Sequence, residues 1–196
     1  CNAIADQLTK ANYINIVTSS GTNLNLDVSC RTGNSAPGCL FKPSCIASPP
    51  DIECNIAPNE TSVNGTVVID GSIPHPSFGL LDKPIRLTIN NGSIVEISKN
   101  HPFSSQLNKI LGPNGSCRRI IGELGIGLNV MSKLTGNMLD DEGAFNTCHL
   151  GFGSNTSIKG LNICDLHLDF VFKDPTYRID GTSFDPYSLF LDHIPD

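Results

Sequence analysis

Hydrophobic and polar residues alternate with a period of two along much of the chain, in short runs broken by Gly, Pro, Asn and Ser. YINIVT (13–18) and NLNLDVS (23–29) alternate on either side of Ser19-Ser20-Gly21-Thr22 and predict a hairpin. GTVVIDGSI (65–73) predicts a strand. PIRLTIN (84–90) and SIVEIS (93–98) flank Asn91-Gly92, a dipeptide whose easy access to positive φ suits a two-residue type I′ turn. TYRIDG (176–181) predicts a last strand and turn. Helical spacing is confined to two stretches. CNAIADQLTKA (1–11) sets Ile4 and Leu8 one turn apart, and PFSSQLNKILG (102–112) has Pro in its first turn and Gly at its end. Residues 30–58 show no period and are rich in Pro, Gly and Ser, which predicts a long loop of the kind that carries function. These elements imply an α+β, strand-rich fold: a mainly antiparallel or mixed, barrel-like sheet with a few helices packed on it. No repeat is visible, and the expectation is one domain over residues 1–196.

The most regular run also carries the chemistry. In LHLDFVF (166–172), Leu166, Leu168, Phe170 and Phe172 share one face of a strand, and His167 and Asp169 share the other. The apolar face reads as core. The polar face suits solvent, or a metal, because an imidazole and a carboxylate two residues apart on a rigid strand converge on one point. His149, in CHLGFG, makes a third candidate ligand, and Gly151 and Gly153 beside it allow close approach of a ligand or another backbone. Two histidines and one aspartate leave metal positions open, an arrangement that serves zinc-type hydrolysis or Fe(II) oxygen chemistry.

Three glutamates extend this set. Glu53 follows Pro49-Pro50 in the long loop, where a solvated acid is the plain alternative. Glu123 is a lone acid among Ile120, Ile121, Leu124 and Ile126, so it needs a metal, a raised pKa or an ion pair with Arg118 or Arg119. Glu142, with Asp140 and Asp141, leads up to the His149 strand. Such carboxylates can bridge a second metal or activate water as a general base; Glu123 and Glu142 are the candidates for that catalytic role. Two other readings stay open: a non-enzymatic binding domain with packed, hydrogen-bonded histidines, and a hydrolase using Cys1 as an amino-terminal nucleophile with its own amine as base. His75 and His101 fall at turns, and His193 lies in a Pro-rich tail that reads as a surface arm.

Composition narrows the partners. A formal charge of −6 with only 13 Lys and Arg argues against nucleic acid and anionic membranes. No apolar run reaches the roughly 20 residues of a membrane-spanning helix, and no signal peptide is visible. Among eight cysteines, Cys30, Cys39, Cys45 and Cys54 crowd together without a CxxC pair, so a structural zinc knot is weakly signalled. A domain of this size needs no staples, which favours reduced thiols and a cytoplasmic location. Asn59, Asn64, Asn91, Asn114 and Asn155 begin Asn-x-Ser/Thr sequons suited to a secreted glycoprotein, although a chain rich in Asn, Ser and Thr generates them by chance. The chain begins at Cys1, inside a helical pattern without an N-cap, as a fragment or processed product would.

The ordered series GTNLNLDV, PPDIECNIAP, NGTVVIDGSI, KPIRLTINNGSIVEI, IIGELGIGLN, DDEGAFNTCHLGFGSN and GLNICDLHLDFVF resembles the carboxy-terminal, catalytic part of the aminopeptidase T/aminopeptidase S metallopeptidases. It is at least as similar to their relatives, the 2,5-dihydroxypyridine 5,6-dioxygenases. By this resemblance Glu53 stands at an acidic ligand position, Glu123 at a bridging glutamate, and His149, His167 and Asp169 complete a two-metal site; in the dioxygenases the last three would hold iron. Glu142 falls near a further peptidase acid, across a loop that is longer here. The peptidases' tyrosine after the histidine strand has no counterpart in GFGSNTS, which favours the oxygenase side. The leading expectation is a metal-dependent, aminopeptidase-type hydrolase using zinc, cobalt or manganese on a small peptide or amide. The alternative is an Fe(II) dioxygenase opening a hydroxylated ring. The resemblance also implies a homo-oligomer, or an amino-terminal segment outside this chain.

Overall fold

The structure, a computed structural model, describes residues 1–40 and 47–188. Its elements are α1 (Asn2–Lys10), β1 (Tyr13–Val17), β2 (Asn23–Asp27), β3 (Asn34–Ala36), β4 (Glu53–Ile56), β5 (Asn64–Ile69), β6 (Ser72–Ile73), β7 (Gly79–Leu80), β8 (Ile85–Asn90) and β9 (Ser93–Ile97). There follow α2 (Ser104–Leu111), β10 (Ile121–Gly127), α3 (Met138–Glu142), β11 (Thr147–Gly153), β12 (His167–Lys173), β13 (Thr176–Ile179) and β14 (Thr182–Phe184). A 3-10 turn, Cys117–Arg119, leads into β10.

The strands form two seven-stranded antiparallel sheets. The first has the order β14-β13-β1-β2-β5-β8-β9 and the second β3-β4-β10-β11-β12-β6-β7. The alternation read from the sequence decides which side chains face inward. Ile14 and Ile16 pair across from Leu26 and Leu24, and Val67 from Leu87, in the first sheet. Cys54, Ile56, Leu124, Ile126, Leu150, Phe152, Leu168, Phe170 and Phe172 come inward from the second, and all of these belong to one hydrophobic core. Phe152 and Phe170 meet edge to face with ring centres 4.8 Å apart, a favoured aromatic geometry. Helix α1 adds Ile4, Ala5 and Leu8 to this core.

The α+β, strand-rich expectation holds, but the sheets do not close into a barrel. The chain changes sheets inside GTVVIDGSI: β5 ends at Ile69 in the first sheet, and after Asp70-Gly71 β6 pairs Ser72 with Val171 in the second. One predicted strand is therefore two. The Asn91-Gly92 hairpin is present, with φ of 48° and 75° at the turn, as a type I′ turn requires. The long loop is shorter than expected, because β3 and β4 arise within it. Cys45 and His193 lie outside the described residues. Cys117 and Cys164 form a disulfide, which corrects the expectation of uniformly reduced thiols. Among the described residues, no helix is long and apolar enough to cross a membrane.

Candidate metal centre

The second sheet has one apolar and one polar face, and the polar face gathers the predicted residues in register. Glu53 on β4 lies opposite Gly127 on β10, Gly125 opposite His149 on β11, Glu123 opposite Gly151, Gly151 opposite Asp169 on β12, and Gly153 opposite His167. Facing residues share a face, so each bulky ligand sits next to a glycine. A Cβ on Gly125 would overlap the His149 ring, and one on Gly151 would lie 2.7 Å from His167 Cε1 and 2.9 Å from Glu123 Cβ. The glycines in IGELGIG and CHLGFG make the space that the imidazoles fill.

The ligand atoms converge closely. His149 Nε2 lies 3.1 Å from Glu53 Oε2, and His167 Nε2 lies 3.2 Å from both Glu123 Oε2 and Asp169 Oδ1. They form two groups, Glu53–Glu123–His149 and Glu123–His167–Asp169, and within each the candidate atoms lie within 4.8 Å of one another. Glu123 belongs to both. Burial is nearly complete at Glu53, Glu123, His149 and Asp169, while the His167 side chain is 33% exposed and marks the open side.

Two hydrogen bonds orient this constellation. Asn55 Nδ2 donates to Glu53 Oε1 at 2.7 Å. The Ser154 carbonyl lies 2.7 Å from His167 Nδ1; a carbonyl only accepts, so Nδ1 carries the proton and Nε2 faces the acids with its lone pair whenever the ring is neutral. Other polar atoms have no hydrogen-bond partner among the described residues: Glu53 Oε2, His149 Nδ1, both oxygens of Asp169 and Asp51 Oδ1. Histidines serving only as packed core residues would leave no such set, because buried polar groups are otherwise satisfied.

The charge balance points the same way. Asp51, Glu53, Glu123, Glu142 and Asp169 surround two imidazoles, and no ion pair among the described residues brings Lys or Arg to them. Burial, then the charges of Glu123 and Asp169, pushes Asp51 up to about 7. Burial, then the charge of Asp169, pushes Glu142 up to about 10. Burial followed by the charge of Glu123 raises Glu53 well above the ordinary range. Burial opposes charge on both His167 and Asp169, but their mutual approach wins, holding His167 up to about 11 and Asp169 down to about 2. Buried acids in excess of cations either keep their protons, as these shifts describe, or take up a further positive charge, and carboxylate and imidazole are donors suited to a divalent metal. The residues present fit such an ion.

All six residues singled out in the sequence, Glu53, Glu123, Glu142, His149, His167 and Asp169, come to this face. Glu53 is a buried strand residue, which sets aside the alternative of a solvated loop acid. The ion pair of Glu123 with an arginine is absent: Arg118 pairs with Asp165, and Arg119 donates to the Gly112 and Ile94 carbonyls and to Asn108. Of the three acids before β11 only Glu142 reaches the cluster. Asp141 is buried and accepts from the Thr135 and Gly136 amides and from Ser72 Oγ, anchoring α3, and Asp140 bonds Thr135 and Asn137 at the surface. Cys1 packs against the core, its carbonyl accepting from the Cys54 thiol, on the strand face opposite Glu53. Asp51 was missed as a site residue. Its signal was the spacing of Asp51, Glu53 and Asn55, which an extended chain sets on one side.

A family model described as NicX, 2,5-dihydroxypyridine 5,6-dioxygenase, matches residues 1–184. No curated protein matches the chain at a significant level. Among solved structures, 2,5-dihydroxypyridine dioxygenase from Pseudomonas putida KT2440 is similar with a TM-score of 0.81 and 22% identity, over 93% of this chain and 55% of that one. Wild-type AmpT from Thermus thermophilus is similar with a TM-score of 0.70 and 17% identity, over 93% of this chain and 50% of that one. At these identities the likeness is one of fold, and the chain spans about half the length of each.

Proposed function

Since the chain belongs to the NicX, 2,5-dihydroxypyridine 5,6-dioxygenase, family, we propose that it forms the metal-holding part of an Fe(II)-dependent enzyme that opens a hydroxylated pyridine or similar electron-rich ring. The observation that carries this reading is the family match along nearly the whole chain. His149, His167 and Asp169 would hold the iron. When bound, ferrous iron supplies the open positions at which a ring hydroxyl and dioxygen come together.

The chain's own residues do the rest of the work. Ser154 fixes the ring of His167, and Gly125 and Gly151 leave room for both imidazoles. Asn55 holds one oxygen of Glu53 and leaves the other free. Glu142 approaches on α3 rather than from the sheet, and its raised protonation beside Asp169 supports a role in exchanging a proton with a substrate hydroxyl while the strand ligands stay in position. Glu123 supports the same transfer from the sheet. A further segment or a second copy of the chain would complete the substrate side.

A second reading has an observation of its own. Glu123 is common to both ligand groups, as a carboxylate bridging two ions would be, and this favours a hydrolase using zinc, cobalt or manganese on a small peptide or amide. Metal analysis of protein purified without chelator, followed by two assays, separates them. The dioxygenase reading expects about one iron per chain and oxygen uptake with 2,5-dihydroxypyridine after anaerobic Fe(II) loading. The hydrolase reading expects about two divalent ions and amine release from small peptides. No oxygen uptake with any dihydroxylated pyridine would remove the first. Metal content unchanged by His167→Ala with Asp169→Ala would remove both.

A further inference from the structure

The metal centre leaves unexplained a disulfide and a group of sequons. Cys117 and Cys164 are bonded across 47 residues of sequence, at a junction held also by the Arg118–Asp165 ion pair and by Asn162 Nδ2, which donates to the Cys117 carbonyl at 2.9 Å. The two cysteines meet where the polar contacts already bring their segments together. Protein disulfides form by exchange with an oxidised dithiol carrier, which takes two electrons and two protons from the thiols; they persist in the secretory route and outside the cell and are rare in reducing cytosol. The cytoplasmic expectation rested on domain size, and this bond weighs against it.

The five sequons differ in what each side-chain amide does. Asn155 is fully buried, its Nδ2 donating to Glu60 Oε1 at 3.0 Å and to the Gly122 carbonyl at 3.1 Å. Asn59 is half-buried, with Nδ2 on Asp27 Oδ1 at 3.0 Å and Oδ1 accepting from Arg31 Nε at 2.9 Å. Asn64 is exposed but engaged, since Nδ2 donates to the Ser62 carbonyl and Oδ1 accepts from the Asn91 backbone amide, each at 2.9 Å. The side chains of Asn91 and Asn114 are exposed and make no hydrogen bond among the described residues. Asn91 stands at the tip of the β8–β9 hairpin. Asn114 stands in the turn between α2 and Cys117, where the neighbouring Gly115 faces open space.

We propose that this chain matures in an oxidising, glycosylating compartment and carries N-linked oligosaccharides on Asn91 and Asn114. In each case the amide Nδ2 forms a bond to C1 of the sugar, the C1–oxygen bond to a lipid pyrophosphate donor breaks, and one amide proton leaves. The remaining N–H and the carbonyl face water, so the folded chain loses nothing by carrying the sugar at these turns. A sugar on Asn155 would displace the buried amide from Glu60 and Gly122, and the same fold could not form around it.

The test is peptide mapping of the native protein from its source cells. Enzymatic release of N-glycans in heavy-oxygen water converts each occupied asparagine to a labelled aspartate, and a parallel non-reducing digest shows the state of the cysteines. The expected result is label at Asn91 and Asn114, none at Asn155, and a Cys117–Cys164 cross-linked peptide. Unlabelled Asn91 and Asn114, alkylatable Cys117 and Cys164, or label at Asn155 would each overturn the proposal.

Discussion

Gly125 shows how much of this centre depends on side chains that are absent. Its Cβ position is taken by the His149 ring, so the smallest possible substitution meets a ligand rather than solvent. Gly125→Ala must push the ring aside or open the β10–β11 pairing. Overpacking of this kind costs about 1–3 kcal/mol. With His149 as a proposed ligand, displacing its imidazole should weaken divalent-ion affinity roughly 10- to 100-fold, as loss of a supporting contact does. Metal titration alongside denaturant unfolding checks both: a variant that binds metal as tightly as the parent would mean that His149 does not hold the ion.

The elements explain why some of this was legible in the sequence. β2 and β8 alternate buried apolar residues with more exposed polar ones, and β12 sends Leu168, Phe170 and Phe172 to the core and His167 and Asp169 to its other face, so period two and a positive-φ turn were enough to find them. In β10 and β11 glycine takes the place of the polar residue, and IGELGIG reads as apolar rather than alternating; the pairing that sets Glu123 opposite Gly151 is a tertiary fact. β4 is four residues long and follows prolines, so Glu53 looked like a loop acid although Asp51, Glu53 and Asn55 already shared a side. Cysteine spacing does not encode connectivity, and nothing in the crowding of Cys30 to Cys54 signals that Cys117 and Cys164 are the bonded pair. Their bond ties the turn before β10 to the loop before β12, the strands that carry Glu123, His167 and Asp169. Closing a loop of 47 residues should contribute about 4 kcal/mol through the unfolded state. Replacing both cysteines by serine should lower the denaturant midpoint accordingly. An unchanged midpoint would show that the Arg118–Asp165 and Asn162 contacts hold the junction unaided.

At the scale of the whole molecule, the acid cluster makes stability depend on pH and on metal together. Asp51 is pushed up to about 7 and Glu142 to about 10, from roughly 4 in an unfolded chain. Above pH 4 the folded state therefore retains protons that the unfolded state has released, and linkage makes stability fall as pH rises, through 7 for Asp51 and through 10 for Glu142. His167, held up to about 11, adds the same sign: its contribution is complete below roughly pH 6.5 and is lost as pH rises through its folded value. Asp169, held down to about 2, works in the opposite direction, but its contribution is lost only as pH falls from roughly 4 through 2. Between pH 5 and 8 the local terms run together. A divalent cation at the proposed centre would replace the retained protons, so its stabilising effect should grow with pH. Thermal unfolding in chelator should show Tm falling from pH 5 to 8, and added divalent metal should raise Tm more at pH 8 than at pH 5. Asp51→Asn should flatten the metal-free profile between pH 5 and 7. A metal-free Tm that climbs through this range would mean that the acids are not gathered as the sheet register places them.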